Sequence, residues 1–319
     1  MGATGFLFAF AATACWAIAA FPLTTASRLL PVSSMNHLRL LLSVVLLLIG
    51  GICIDPQAML LLISPDSLTG WCWLGLSGIM ALVVGDFFSF RSYAILSPQK
   101  GSVLTTLSPT SALLLAMLLV NEQINWVGII GMVITITGVM SISLGRSQRN
   151  AIPDHGHGSV TKGILYGILA AICHGGALAL SKKGFNMQAA EAHPLNWAAA
   201  TFMRVFAAFV TVYLVTLVRG QWKEVWLHLR ESKAGINYTI AGSLFNPVFS
   251  VSLSMITILY INVAVAQTIF AMVPLFALVI AFVVYREKIT LRSLLGVLIA
   301  LVGVTLLIWR TKIALLLGA

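Results

Sequence analysis

Asp86 stands inside an apolar run, Val83-Val84-Gly85-Asp86-Phe87-Phe88. If that run crosses a bilayer, an acid near its centre costs about 2.5–3.5 kcal/mol on insertion scales. It must therefore face a cavity or a partner. Ser89, Phe90 and Tyr93 come at i+3, i+4 and i+7, which puts polar and aromatic groups on one helical face. A carboxylate so placed can hold a substrate amine or carry a coupling proton. It can equally form a structural ion pair with Arg39 or Arg91.

Other residues offer chemistry at similar depth. Arg39 and Arg204 can each grip an anionic group with the planar guanidinium, or brace the bundle and snorkel to headgroups. His174, between Cys173 and Gly175-Gly176, is either a cavity-lining titratable ring or a hydrogen-bonded packing residue. Trp16, Tyr93 and Phe90 can supply aromatic walls. Pro109 and Pro274 fall in mid-helix positions, where proline frees the carbonyls of Thr105 and Phe270. Lipid tolerates such a break only where neighbours or a wet cavity satisfy the freed group. Thr105, Thr106, Ser108, Gln267 and Thr268 supply polar groups nearby, so a hinge with cavity lining is expected at both prolines. Asn246-Pro247 offers a third break.

Some motifs carry less. Gly75-Leu76-Ser77-Gly78 matches the G-x-S-G of intramembrane serine hydrolases, but four residues match easily by chance. Only His174 is placed to serve as base. His155 and His157 make at most a weak metal site, and Glu122 and Glu287 are expected to cap the helices that come after them. Lys182 and Lys183 read as interfacial anchors. No H-E-x-x-H, phosphate-loop or paired acidic motif occurs, so ATP-driven pumping and metal catalysis have no support.

These residues are positioned by a very apolar chain. Of 319 residues, 59% are hydrophobic and 9% charged, with a mean hydropathy of +1.00. Soluble domains carry about 25% charged residues, so a soluble enzyme and a nucleic-acid binder are excluded. The formal charge of +10 then reads as loop charge that sets topology. A hydrocarbon core about 30 Å thick needs roughly 20 apolar residues per helix. Apolar runs fall at 4–26, 33–54, 68–95, 99–120, 125–145, 161–181, 196–219, 235–260, 262–285 and 291–309. Within lipid, runs of this length must be helices. The fold expected is an all-α integral membrane protein with ten transmembrane helices. The start reads as a first span and not as a removed signal peptide. Cys15, Cys53, Cys72 and Cys173 form no C-x-x-C pair, which disfavours a disulfide framework or zinc site. The segment Trp222-Lys223-Glu224-Val225-Trp226-Leu227-His228 has the pattern of a helix lying in the interface.

The chain repeats itself. An offset of 165 places Pro109 on Pro274, Glu122 on Glu287, Gly131 on Gly296, Gly138 on Gly303 and Arg39 on Arg204. Residues 109–139 and 274–304 share ten identities in 31 positions. An offset of 158 places Gly5 on Gly163 and Cys15 on Cys173. The halves are expected at 1–145 and 161–311, with a polar linker at 146–160 and a tail at 312–319. Five helices per half is an odd number, so the second half enters from the opposite side and the repeat is inverted. Asp86 aligns with Val251, so its charge has no counterpart.

Each half carries an Arg in its second helix, then a helix-four Pro (Leu107-Ser108-Pro109), an acid at the 4–5 turn (Val120-Asn121-Glu122) and Gly-x6-Gly in helix five. The first half also ends helix three on Tyr93-Ala94-Ile95-Leu96; Ile258-Leu259-Tyr260 stands there in the second. The pattern closely resembles the EamA family of the drug/metabolite transporter superfamily, over nearly the whole chain. The resemblance implies ten helices, no cofactor, and movement of small polar organic metabolites such as amino acids by alternating access, as an exporter or exchanger. The partners are then a small-molecule substrate and the lipid bilayer, without nucleic acid, in a monomer or homodimer. The expected location is a bacterial-type inner membrane. A hydrolase using Ser77 and a non-transporting scaffold are the competing readings. Odd-numbered connections hold twelve Lys and Arg against four for the even ones and the termini. Positive-inside counting thus puts both termini outside, whereas the resemblance implies the reverse.

Overall fold

The computed structural model describes residues 2–96, 103–145, 159–188, 196–286 and 290–316. Its regular elements among those residues are all helical. Ten apolar segments succeed one another: α1 (Gly2–Leu29), α2 (Val32–Ile54), α3 (Leu68–Gly78 continuing through Ile79–Gly85 and Asp86–Leu96), α4 (Ser108–Val120) and α5 (Trp126–Gly145), then α6 (Val160–Gln188), α7 (Trp197–Val218), α8 (Lys233–Ser243, Leu244–Phe249 and Ser250–Tyr260), α9 (Val263–Phe270 and Val273–Tyr285) and α10 (Leu291–Leu316). Among the described residues nine helices are long and apolar enough to cross a membrane, and Trp126–Ile142 is a shorter apolar helix. The linker with His155 and His157, and Glu287, lie outside the described residues.

Side-chain oxygens set several helix starts. Asn196 Oδ1 accepts from the Ala199 N–H at 2.9 Å, while its Nδ2 donates to Asp55 Oδ2 at 2.8 Å. This fixes the start of α7 against the end of α2, and Asp55 also caps the short helix Pro56–Leu60 through the Ala58 N–H. Ser232 opens α8 by accepting from the Gly235 N–H. Each of these contacts satisfies a donor that has no intrahelical partner. Leu40, Leu74, Met203, Met255, Ile258, Ile269 and Leu307 are fully buried between helices. Leu294, Leu295, Leu298 and Val302 of α10 are exposed, as a lipid-facing stripe requires. The helix Trp222–Glu231 turns Val225 and Leu229 inward, and Leu229 packs with Leu30 and Met35 at the α1–α2 turn.

The irregular places repeat along with the sequence. Ile79–Gly85 and Leu244–Phe249 are π-helical, and 244 − 79 = 165, the internal offset. At the end of the first, the Asp86 N–H reaches the Ala81 carbonyl five residues back. Each inserted residue rotates the remainder of the helix by about 100° around its axis. In the second, Asn246 leaves helical geometry at φ −141°, ψ 112°.

Pro109 and Pro274 are not mid-helix. Thr106 and Leu107 turn back onto the Val103 and Leu104 carbonyls, and α4 then begins at Ser108, with Pro109 its second residue. In α9 the same turn falls at Ala271 and Met272, and Pro274 is second in Val273–Tyr285. Proline is tolerated there because the first N–H groups of a helix lack internal acceptors. The expected breaks exist, but each precedes its proline and makes the helix discontinuous.

α5 and α10 pair along their length. A Cβ on Gly138 would lie 2.4 Å from Ala300 N, and one on Gly303 2.4 Å from Thr135 N; Gly131 and Gly296 are similarly tight. The four glycines let two backbones touch, as the Gly-x6-Gly spacing implies.

Candidate functional site

Asp86 is the first α-helical residue after the π-helical turn of α3, and Gly85 before it leaves room for the His174 ring. A Cβ there would lie 3.1 Å from His174 Cε1. Asp86 Oδ2 accepts from Arg39 Nη2 at 2.9 Å. Arg39 is further held by Asn36 Oδ1, at 2.8 Å from Nη2 and 3.1 Å from Nε. Of the two arginines weighed as partners, Asp86 takes Arg39. Arg91 instead lies over the Phe87 ring at 5.5 Å. The other oxygen, Oδ1, is 3.9 Å from His174 Nε2, which also meets Ser89 Oγ at 3.3 Å. Tyr93 adds its hydroxyl to this group, bonding the side chains of Thr105 and Ser89. Asn36 is not among the residues expected from the sequence, although its i−3 spacing from Arg39 is a signal that could have found it.

Two expected members lie elsewhere. Phe90 is exposed on α3, away from the buried face that holds Ser89. Trp16 meets Phe270 edge-on at 5.0 Å, at the break of α9. There the Thr13 hydroxyl is within bonding distance of the Ala9 and Ile269 carbonyls. Gly175 and Gly176 do not open space at the histidine. A Cβ on Gly175 would strike Ser108 O and Ser111 Oγ, and one on Gly176 would strike Leu115 and Met80. They let α6 close on the start of α4, where Ser111 donates to the Ala171 carbonyl at 2.8 Å.

The two discontinuities touch. Gln267 Nε2, on the first part of α9, donates to Ser108 Oγ at the start of α4, 3.0 Å away. Arg204 of α7 is buried, with Nη1 at 3.3 Å from Met255 Sδ and Nε without a partner.

A second polar group lies where the turn after α4 meets the start of α9 and the end of α10. Glu122 does not cap the helix after it, because Asn125 Oδ1 does so by accepting from the Gly128 N–H. Glu122 Oε2 instead accepts from the Val263 N–H at 2.7 Å, at the start of α9. Burial holds its carboxyl above the usual 4.5, opposed by the Val263 N–H. Lys182, expected as an interfacial anchor, donates to the Ile258 carbonyl. Arg310 binds Asn262 Oδ1 at 2.7 Å. These groups line a cavity of about 350 Å³.

Ser77 does not form a nucleophile–base pair with His174. Its buried hydroxyl bonds Ser181 Oγ at 2.6 Å, while His174 faces Asp86 and Ser89. Among the described residues no cluster of three or more His, Cys, Asp or Glu can hold a metal ion.

One solved structure, described only as the crystal structure of a protein, superposes with a TM-score of 0.74 over 99% of each chain at 15% identity. At that identity the likeness speaks for the fold alone. No curated protein matches the sequence. The sequence model of the EamA-like transporter family matches residues 3–144 and again 161–309, covering both halves around the two broken helices. A multi-pass membrane protein built from two EamA repeats, this chain belongs to the EamA-like transporter family.

Proposed function

We propose that the protein is a ten-span secondary transporter of small polar organic metabolites such as amino acids, exporting or exchanging them across a bacterial-type inner membrane. Two inverted halves, 1–145 and 161–311, move against each other and are joined in the sequence by residues 146–160. The observation that carries this reading is the contact between the two discontinuous helices, Gln267 to Ser108. Each helix breaks at positions related by the internal repeat, and paired broken helices are how secondary transporters build a central site with free backbone groups. The turns at Thr106-Leu107 and Ala271-Met272, just before Pro109 and Pro274, act as the hinges. Asp86, Arg39, His174, Tyr93 and Thr105 form one wall beside the α4 break. Trp16 and Gln267 form the other beside the α9 break, and Asn246 lies at the irregular turn of α8. Phe90, exposed on α3 beside the buried Ser89, is left out of both walls.

The polar group at Glu122, Lys182 and Arg310 ties the 4–5 turn to the 8–9 turn and to α10. It acts as the closed gate of the state described. Alternation then consists of parting these contacts while the opposite ends of the helices close.

The test is counterflow in proteoliposomes, using a mixture of radiolabelled amino acids as the first probe. Wild-type protein is expected to exchange at least one component. Gln267→Leu is expected to slow that exchange about tenfold while lowering the melting temperature by no more than a few degrees, because it removes one neutral hydrogen bond worth about 1 kcal/mol at the moving contact. Exchange by Gln267→Leu at the wild-type rate would remove the broken helices from the mechanism. Orientation is tested separately. The twelve-to-four charge bias places both termini outside, so a reporter active only in the cytoplasm, fused after Ala319, is expected to stay silent.

A further inference from the structure

We infer that Arg204 is the docking point for a carboxylate carried by the transported solute. This rests on the transporter reading and adds a substrate class to it. Arg204 occupies the position that Arg39 holds in the first half, since 204 − 39 = 165. The two have opposite surroundings. Arg39 is neutralised by Asp86 and held by Asn36. The residue aligned with Asp86 is Val251, which is buried and apolar. Among the described residues no carboxylate lies within ion-pair distance of Arg204.

Arg204 is 5% exposed, its Nε has no partner, and among the described residues its guanidinium bonds the thioether of Met255. Sulfur of that type is a weak acceptor, and a guanidinium does not shed its proton. An unpaired buried cation is strongly unfavourable, so the anion that completes this site comes from outside the chain. Its class is set by charge and shape. Arg39, Asp86 and Arg204 sum to +1, which a monoanion cancels. The planar fork matches a carboxylate in two parallel hydrogen bonds.

The position is also held firmly. A Cβ on Gly78 would fall 2.0 Å from the Arg204 carbonyl oxygen, so α3 lies directly against the backbone that carries the guanidinium. Met255 is unbranched and adaptable, and can move aside for an incoming carboxylate. The carboxylate of Asp86 keeps Oδ1 free of Arg39, and α3, which carries it, packs directly on the Arg204 backbone at Gly78.

The experiment is a melting titration of purified protein with sodium acetate and sodium formate, compared with sodium chloride at matched ionic strength, and with inorganic phosphate as a further arm. Wild-type protein is expected to gain melting temperature saturably with acetate or formate over chloride. Arg204→Gln is expected to need at least tenfold more acetate for the same gain, and to melt no lower than wild type without added anion. Arg204→Lys keeps the charge and is expected to retain a weaker acetate response. If Arg204→Gln does not fold, Arg204→Lys and the wild-type titration decide the matter.

No saturable response of the wild type to either carboxylate would overturn the inference. So would a response to phosphate alone, an undiminished acetate response in Arg204→Gln, or a large loss of melting temperature in folded, anion-free Arg204→Gln. Counterflow separates this from the transporter reading. Exchange without any carboxylate effect refutes the docking role alone, whereas a carboxylate effect without exchange of any solute refutes transport.

Discussion

Asp86→Asn is expected to lower stability by about 3 kcal/mol, and the added change Arg39→Gln is expected to restore it without restoring transport. Removing one member of a buried ion pair costs roughly 3–5 kcal/mol, because the other charge is left in a poor solvent. The Asp86 side chain is 20% exposed against 6% for Arg39, and Asn36 continues to hold the guanidinium, so the cost falls at the lower end. The double variant carries no unpaired charge; Asn keeps the shape of Asp86, and Gln replaces the Arg39 guanidinium with a shorter, neutral amide. Melting temperature in detergent reads this first part. Flux reads the second. In the function proposed, Asp86 also presents Oδ1 toward His174 at 3.9 Å, a position for a substrate amine or a coupling proton that an amide cannot replace. Exchange is expected to fall at least tenfold in the double variant, with a flattened pH dependence if the proton is the cargo. A double variant with wild-type melting and wild-type flux would make Asp86 a brace and nothing more.

Gly138→Val is expected to cause the larger structural loss. Its first new atom would lie 2.4 Å from Ala300 N and 2.7 Å from Gly296 O. Both are backbone atoms of a facing helix and cannot swing away like the end of a side chain. Overpacking in a core costs about 1–3 kcal/mol where side chains yield, and more where they do not. Here α5 and α10 must separate. Their reciprocal glycines are also the direct contact between the last helices of the two halves, so separation spreads along both. The yield of monodisperse protein is expected to fall severalfold, and the remainder to melt well below wild type. Gly50→Val is the control: nothing lies within 4 Å of a Cβ there, and it is expected to behave as wild type. Equal behaviour of the two variants would show that α5 and α10 do not need this closeness.

Much of the architecture was decided along one dimension. The length of each apolar run, with backbone groups that lipid cannot satisfy, requires helices. The repeat at an offset of 165 rests on side-chain identity, and with it came the two proline sites, the paired arginines and the glycine pairs. Asp86 declared its need for a partner simply by being charged in an apolar run. What folding decided was every choice among partners. Arg91 is five residues from Asp86, about 140° around the helix, while Arg39 is 47 residues away and brought alongside by packing. Glu122 caps α9 of the other half because the turns between helices meet in space and not in sequence. The π-helical turn at Ile79–Gly85 was invisible because a single inserted residue alters no periodicity that eleven to eighteen residues can register, whereas Asn246-Pro247 marked the one at Leu244–Phe249. Among the described residues Arg204 stands without an acid for the same reason that Arg39 has one. The two halves share a backbone plan, but Asp86 and Val251 fill equivalent places in it, and only the folded surroundings show which cation was left to be met from outside.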